Sequence, residues 1–492
     1  MGKMNIGARL RSLRPVHSST RSILKATGIF GGVRILLILC SLIRNKLIAV
    51  WVGPAGVGLI SLYNNFIELI STLSRLSIDQ SATRYISQAG TGQAGFVSKV
   101  VMRWSWGLGI AGSVCMCAMS PLLSEWSFGH AGLWWTFCVL SVVPLGMTIY
   151  GGASAVFQGV RNFKALAAMG VWSTLAGIVV AVPLIYFFRE KSIIWVILVY
   201  GLAAMASALV VIRGGGMRVS VPWREIWRSG LSFIRLGALI TAGLVVGQLF
   251  NYLFILFLNN YADTAVLGVY QGGYTLVNAY VGVFFTGVWV EFFPRLSATV
   301  HSTVRTSVIV SHQIAATSWL LMPIIAAFIC ADSLVVRLLY ADSFMEMLPF
   351  ITLAMAGVLM RAASWCIGTT IVAKGDGGIY VVSETLSGAL FLALHIVGYS
   401  AWGFVGLGMA YIVWYVLYLA ICWVIYRKRY GLDIRPEAWK ALGFAIFFCG
   451  LCVLAKWTLG WWAPLVMAVV VTPVSIRRLK GQSQRKETAD KA

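Results

Sequence analysis

Residues 56–75 read GVGLISLYNNFIELISTLSR, and these twenty residues decide the class of the fold. A helix rises about 1.5 Å per residue, so the stretch is long enough to cross roughly 30 Å of hydrocarbon, yet it carries Glu68 and Arg75. Asn64, Glu68, Ser71 and Arg75 are spaced by three or four and share one helix face, flanked by Asn65 and Thr72. A polar stripe on an otherwise apolar helix of this length marks a membrane span that turns one face to protein or water.

The rest of the chain repeats the pattern. Of 492 residues, 59% are apolar and 11% charged, against about 25% charged in an ordinary soluble domain, and the mean hydropathy is +0.84. Apolar stretches lie at 24–50, 56–78, 99–121, 132–157, 165–188, 192–212, 229–258, 264–293, 308–330, 347–373, 377–399, 402–426, 438–458 and 461–476. The expected fold is therefore an all-α polytopic membrane protein of about fourteen transmembrane helices, spans 1 to 14, the last being the shortest. Span 1 reads as an anchor rather than a cleavable signal, because its apolar part runs too long and no small-residue cleavage site follows it.

A net charge of +23 would suggest nucleic acid in a soluble protein; here topology explains it. Alternate loops and both tails hold 28 Lys and Arg, while the opposite loops hold only Arg189, Lys191, Arg337 and Lys456. Positive residues mark the cytoplasmic side, so both termini are expected there and no nucleic-acid partner is. All nine cysteines sit in apolar stretches. Cys449-x-x-Cys452 lies mid-span without a βαβ context and reads as packing; no zinc spacing or disulfide framework is visible.

An internal repeat gives the organisation. Val156-Phe157-Gln158-Gly159 closes span 4 and Val372-Ala373-Lys374-Gly375 closes span 10, an offset of 216 residues. Val57-Gly58-Leu59 opens span 2 and Leu267-Gly268-Val269 opens span 8, an offset of 210. Two landmarks in the same order suggest duplicated six-helix lobes, parallel because an even-numbered unit restores its own orientation. The expected parts are a basic tail (1–22), an N-lobe of spans 1–6 (23–212) and a linker (213–228). A C-lobe of spans 7–12 (229–428), a hairpin of spans 13 and 14 (436–476) and a second basic tail (477–492) follow. Such folds place their substrate between the lobes near the bilayer midplane.

A charge at the bilayer centre costs roughly 2.5 to 3.5 kcal/mol on insertion scales. Arg34, Arg75 and Arg361 fall near mid-depth with Glu68, and Glu384 lies further toward the cytoplasm. Milder polar groups are Asn64 in span 2, Gln248 and Asn251 in span 7, and Gln271, Tyr274 and Asn278 in span 8. One reading pairs the charges internally, Glu68 with Arg34 or Arg75 and Glu384 with Arg361. The other notes that pairing leaves cations over, so that a water-filled cationic cavity between the lobes takes an anionic cargo, arginine's planar fork suiting phosphate oxygens. Glu68 and Glu384 are then candidates for ion coupling. Arg44 and Lys46, near the end of span 1, are expected to reach the outer interface. No phosphate-binding loop, zincin or nucleophile-elbow motif occurs; no catalytic residue, metal ligand or cofactor is expected.

The stretch Asn45-Lys46-Leu47-Ile48-Ala49-Val50-Trp51-Val52-Gly53-Pro54-Ala55-Gly56-Val57-Gly58-Leu59 resembles the junction of spans 1 and 2 in Wzx-type O-antigen translocases, the enterobacterial common antigen branch above all. Gly268-Val269-Tyr270-Gln271-Gly272, Asn278-Ala279-Tyr280 and Phe293-Pro294-Arg295-Leu296-Ser297 resemble that family's span 8, and Ile371 to Lys374 with Glu384 its span 10 to 11 region. The resemblance runs over about residues 24 to 428. It implies the multidrug/oligosaccharidyl-lipid/polysaccharide (MOP) exporter superfamily, with two six-helix lobes around a V-shaped cavity. It also implies flipping of an undecaprenyl-pyrophosphate-linked oligosaccharide across the bacterial inner membrane, with membrane lipid, a polysaccharide polymerase and a chain-length regulator as candidate partners. Asn278 stands where the common antigen branch has Asp, and Arg361 where it has Lys. The alternatives are a cation-coupled multidrug exporter of the same superfamily and, less favoured, a membrane polymerase or acyltransferase.

Overall fold

The computed structural model describes residues 37, 40–76, 86, 94–160, 162–214 and 223–491. Most of span 1, with Arg34, the tail 1–22 and the middle of the linker at 215–222 lie outside the described residues. Among the described residues the chain is helical throughout, with no strand. Among the described residues nine helices are long and apolar enough to cross a membrane. Two of them, Lys164–Arg213 and Gly377–Lys428, are 50 and 52 residues long and hold two spans each. Span 2 (Gly53–Arg75) is not among the nine, since Asn64, Asn65, Glu68 and Arg75 dilute its apolar residues.

Local sequence sets the breaks. Residues 40–51 are helical, and Gly53, at φ +79°, turns the chain so that Pro54 starts span 2 in the first-turn position that proline tolerates. Asp263, Ser302 and Asp376 accept backbone N–H bonds at the starts of spans 8, 9 and 11. The rod from Gly377 to Lys428 folds back at Trp402 and Gly403, separating spans 11 and 12. Span 7 begins at Trp223, and span 14 runs as one helix from Trp462 to Lys491, carrying the second basic tail with it.

Spans 3, 4, 5 and 6 pack together, as do spans 7 to 12. The two halves meet through span 2, which lies against spans 7 and 8. A Cβ on Gly58 would sit 1.9 Å from the Thr264 carbonyl oxygen, and one on Gly268 would sit 1.8 Å from that of Pro54. Only paired glycines allow this approach. These are the two residues matched by the repeat at offset 210, and they face each other across the junction of the halves. Nearby, Lys46 Nζ donates to the carbonyls of Arg337 (2.9 Å) and Tyr340 (3.3 Å) at the C-terminal end of span 9, where the helix dipole favours a cation. Asn259 and Asn260, ending span 7, donate to the carbonyls of Ser127 (2.8 Å) and Trp126 (3.1 Å) in the connector between spans 3 and 4. All these contacts lie at one end of the bundle.

Spans 13 and 14 pack on span 9. Lys456 of span 13 forms an ion pair with the fully buried Asp332 of span 9, whose carboxylate also accepts the Thr352 hydroxyl and the Ser333 N–H.

Two outcomes are expected. Lys456→Met leaves a buried carboxylate alone and costs about 3 to 5 kcal/mol, read as a lowered melting temperature in detergent, whereas adding Asp332→Asn recovers most of the loss. Gly58→Ala separates spans 2 and 8 without unfolding either. Crosslinking between cysteines placed at Ser127 and Asn259 in a cysteine-free chain should then fall several-fold, and unchanged crosslinking would show that the glycines do not set the closure.

Candidate transport cavity

Two cavities open within the membrane region, one in each half. The larger, about 540 Å³, is walled by spans 7, 8, 10, 11 and 12 and includes Asn251, Tyr274, Arg361, Glu384, Tyr415 and Tyr418. Arg361 is the centre of its charge. Its Nη1 donates to Asn278 Oδ1 (2.7 Å) and to the Tyr411 hydroxyl (3.3 Å), and its guanidinium carbon lies 5.4 Å and 5.8 Å from the ring centres of Phe285 and Tyr415. Every one of these partners is neutral. Among the described residues Arg361 has no carboxylate partner, and its Nε and Nη2 donors have no hydrogen-bond partner. A guanidinium held by an amide and π faces keeps its full charge and the rest of its fork for a ligand.

Glu384 lines the same cavity without pairing to Arg361, so the internal pairing weighed for these two does not form. Its Oε1 accepts the Tyr418 hydroxyl at 2.9 Å, and no cation neutralises it among the described residues. The cavity thus holds one cation and one anion apart from each other, with Trp365 and Trp414 adding aromatic surface.

The second cavity, about 440 Å³, lies among spans 1, 2, 4 and 6 and includes Asn64 and Glu68. Here the internal pairing does form: Arg75 Nη2 meets Glu68 Oε1 at 2.9 Å, and Arg75 Nε donates to the Ser71 carbonyl. Residues seven apart lie almost on the same helix line, so the pair closes along one span. Arg75 is therefore a partnered cation, and it stands outside the walls of both cavities. A small polar pocket of about 240 Å³ joins the halves, between Asn64 and Asn65 on one side and Gln271 and Thr275 on the other. Asn251 donates to Asn65 at 2.9 Å across the junction. Gln248 and Gln271 each keep a buried side-chain oxygen without a partner among the described residues.

Sequence reasoning missed Arg44. Instead of reaching the outer interface, it lines the second cavity and the small pocket, 4.9 Å over the Tyr200 ring, and donates to Asn45 and Ser41. It too has no carboxylate partner among the described residues.

Comparisons with known proteins agree with this architecture. The model of a family described as "Polysaccharide biosynthesis protein" matches residues 47–349. The lipid III flippase of Escherichia coli (strain K12) is 22% identical over 411 residues, covering 79% of this chain and 95% of that protein. Among solved structures, the lipid II flippase MurJ in an inward closed conformation superposes with a TM-score of 0.67 at 10% identity, over 91% of this chain and 97% of its own. A multidrug resistance MATE family transporter of the MOP superfamily, inward-facing, gives 0.66 at 12% identity, over 80% and 94%.

The Arg44 geometry separates two roles. A cavity-wall cation predicts that Arg44→Ala lowers transport about tenfold or more while Arg44→Lys retains part of it, measured as the transported product per unit of protein in the membrane. An interfacial arginine would tolerate both changes.

Proposed function

The chain belongs to the polysaccharide biosynthesis protein family, and on that premise we propose that it is a MOP-superfamily flippase for a lipid-linked oligosaccharide. Its cargo is an undecaprenyl-pyrophosphate-linked O-antigen or related surface polysaccharide repeat unit, moved from the cytoplasmic to the periplasmic leaflet of a bacterial inner membrane. The observation that carries the reading is Arg361, an arginine in a membrane cavity whose partners among the described residues are all neutral. A cavity that retains an unneutralised guanidinium attracts an anion, and a pyrophosphate offers the oxygens its fork fits. The sugars would lie along the amides and aromatic rings of the cavity wall while the prenyl chain stays in lipid.

The two halves act as lobes, residues 23–212 and 229–428, joined by the linker at 213–228. By the distribution of Lys and Arg, the joined end at Lys46, Gly58 and Asn259 faces outward and both termini face the cytoplasm. The described arrangement is then closed to the periplasm, and rocking about the junction exposes the cavity to each side in turn. Coupling to an ion or proton falls to Glu384 rather than Glu68, because Glu68 is already satisfied by Arg75. A cation-coupled multidrug exporter is less favoured, since a cationic drug would need a carboxylate where Arg361 stands.

In a strain lacking the gene, the Arg361→Ala variant is expected to leave the surface without its polysaccharide while the lipid-linked precursor accumulates, and Arg361→Lys to restore part of it. Wild-type surface polysaccharide with the alanine variant at equal membrane abundance would sink the role given to Arg361. Altered drug accumulation with normal polysaccharide would favour the exporter instead.

A further inference from the structure

The sequence offers no disulfide spacing, and Cys449 and Cys452 are both buried one turn apart on one helix, the Cys452 thiol approaching Met467 Sδ at 4.0 Å. A different pair is brought close. Cys117, near the end of span 3 (Ala94–Ala118), and Cys138, in the first helical segment of span 4 (Trp134–Leu140), hold their sulfurs 3.0 Å apart. Both are free thiols and half-buried. A disulfide needs about 2.05 Å between sulfurs, so a shift of about 1 Å, within reach of side-chain rotation, closes the bond.

The position suits oxidation. Trp126, Trp134 and Trp135 are 48%, 50% and 43% exposed around the same connector, the arrangement of an aromatic belt at a membrane interface. Cys138 lies one helical turn beyond Trp134, about 6 Å deeper at 1.5 Å per residue. Neither thiol is sealed in the core, unlike Cys330, Cys366, Cys422, Cys449 and Cys452. On the orientation proposed above, on which this inference rests, the belt is the periplasmic one, and the compartment it borders is oxidising.

We propose that Cys117 and Cys138 form a disulfide that staples spans 3 and 4 at the outer end of the first half. The oxidant is a periplasmic thiol–disulfide oxidoreductase of the dithiol class. One cysteine thiolate attacks the donor disulfide to give a mixed disulfide and frees one donor thiolate. The second cysteine thiolate then attacks its partner's sulfur, forming the 117–138 bond and releasing the other donor thiolate. The two protons lost by the cysteines go to the donor, which leaves as a dithiol, so two electrons pass to it and the chain is oxidised. The bond closes the loop of residues 118–137, which is already built by internal hydrogen bonds: Ser120 to the Cys117 carbonyl (2.7 Å), Ser124 to the His130 carbonyl (2.8 Å) and Thr136 to the Leu133 carbonyl (2.7 Å). This loop supplies the Trp126 and Ser127 carbonyls that receive Asn260 and Asn259. Oxidation therefore stiffens one side of the outer closure without touching the cavity walls.

Differential alkylation of the full chain tests this. In membranes prepared without reductant, free thiols are blocked with N-ethylmaleimide, the protein is denatured and reduced, and newly exposed thiols take a second, mass-distinct label. Cys117 and Cys138 should carry the second label in most molecules, and in a Cys117→Ser variant Cys138 should carry the first. Blocking of both by the first reagent in the wild-type chain overturns the proposal. A His130→Cys reporter in a Cys117→Ser/Cys138→Ser background, probed on intact cells with a membrane-impermeant maleimide, reads the orientation separately. Labelling places the connector in the oxidising compartment. No labelling, with labelling restored on permeabilised cells, overturns the orientation and the disulfide with it.

Discussion

The halves of the molecule meet backbone against backbone. At Gly58 and Gly268 the helices of spans 2 and 8 come near enough that a single methyl group would collide with the Thr264 or Pro54 carbonyl. Without a hydrophobic force between helices in lipid, such packing is the main way that spans hold together. The two glycines are repeat equivalents, so the contact relates one half of the chain to the other by an approximate two-fold arrangement. Joining the halves at one end by this contact lets spans 2, 7 and 8 leave polar space toward the middle of the bilayer, where Asn64, Asn65, Asn251 and Gln271 gather.

Charge is then distributed by what each site can neutralise. Glu68 and Arg75 share a helix line and satisfy each other at 2.9 Å, with side chains 43% and 23% exposed. That pair lowers the cost of polar residues in a span and leaves little field behind. Arg361 is different: its partners Asn278, Tyr411, Phe285 and Tyr415 lower the cost of burial by hydrogen bonds and π contacts yet cancel no charge. Among the described residues Glu384 is the single carboxylate on the wall of the cavity that Arg361 lines.

Hydropathy and the spacing of polar residues made the spans legible, and the offsets of 210 and 216 made the repeat legible, because both depend only on residue type along one helix. Asn64, Asn251, Tyr274, Arg361 and Glu384 stand out in the sequence because they belong to polar stripes or stand alone in apolar surroundings, and the structure places Asn64 on one cavity and the other four on another rather than on one cavity between the lobes. What was not legible depends on how one helix is rotated against another. Arg44 lies near a span end, and only the packing of spans 1, 2 and 6 turns it onto Tyr200 rather than toward the headgroups. The proximity of Cys117 and Cys138 follows from the fold of the connector between them, which no spacing rule encodes. Asp332 and Lys456 sit 124 residues apart and meet only because the last hairpin docks on span 9.

The strengths of these links suggest which parts move. The outer junction between the halves includes Lys46 on two carbonyls, Asn259 and Asn260 on two others and the glycine contact, while deeper in the bundle Asn251 donates to Asn65 and Phe66 packs on Tyr252. The neutral asparagine bonds contribute about 0.5 to 1.5 kcal/mol each and those from the Lys46 ammonium about 1.5 to 3, and all of them are bonds that water can replace. The hairpin is held otherwise. Separating the Asp332 and Lys456 pair would strand a fully buried carboxylate, a cost of several kcal/mol that no water at that depth offsets. Weak, exchangeable bonds between the halves and a strong buried pair within the second half make the hairpin a fixed part of that half.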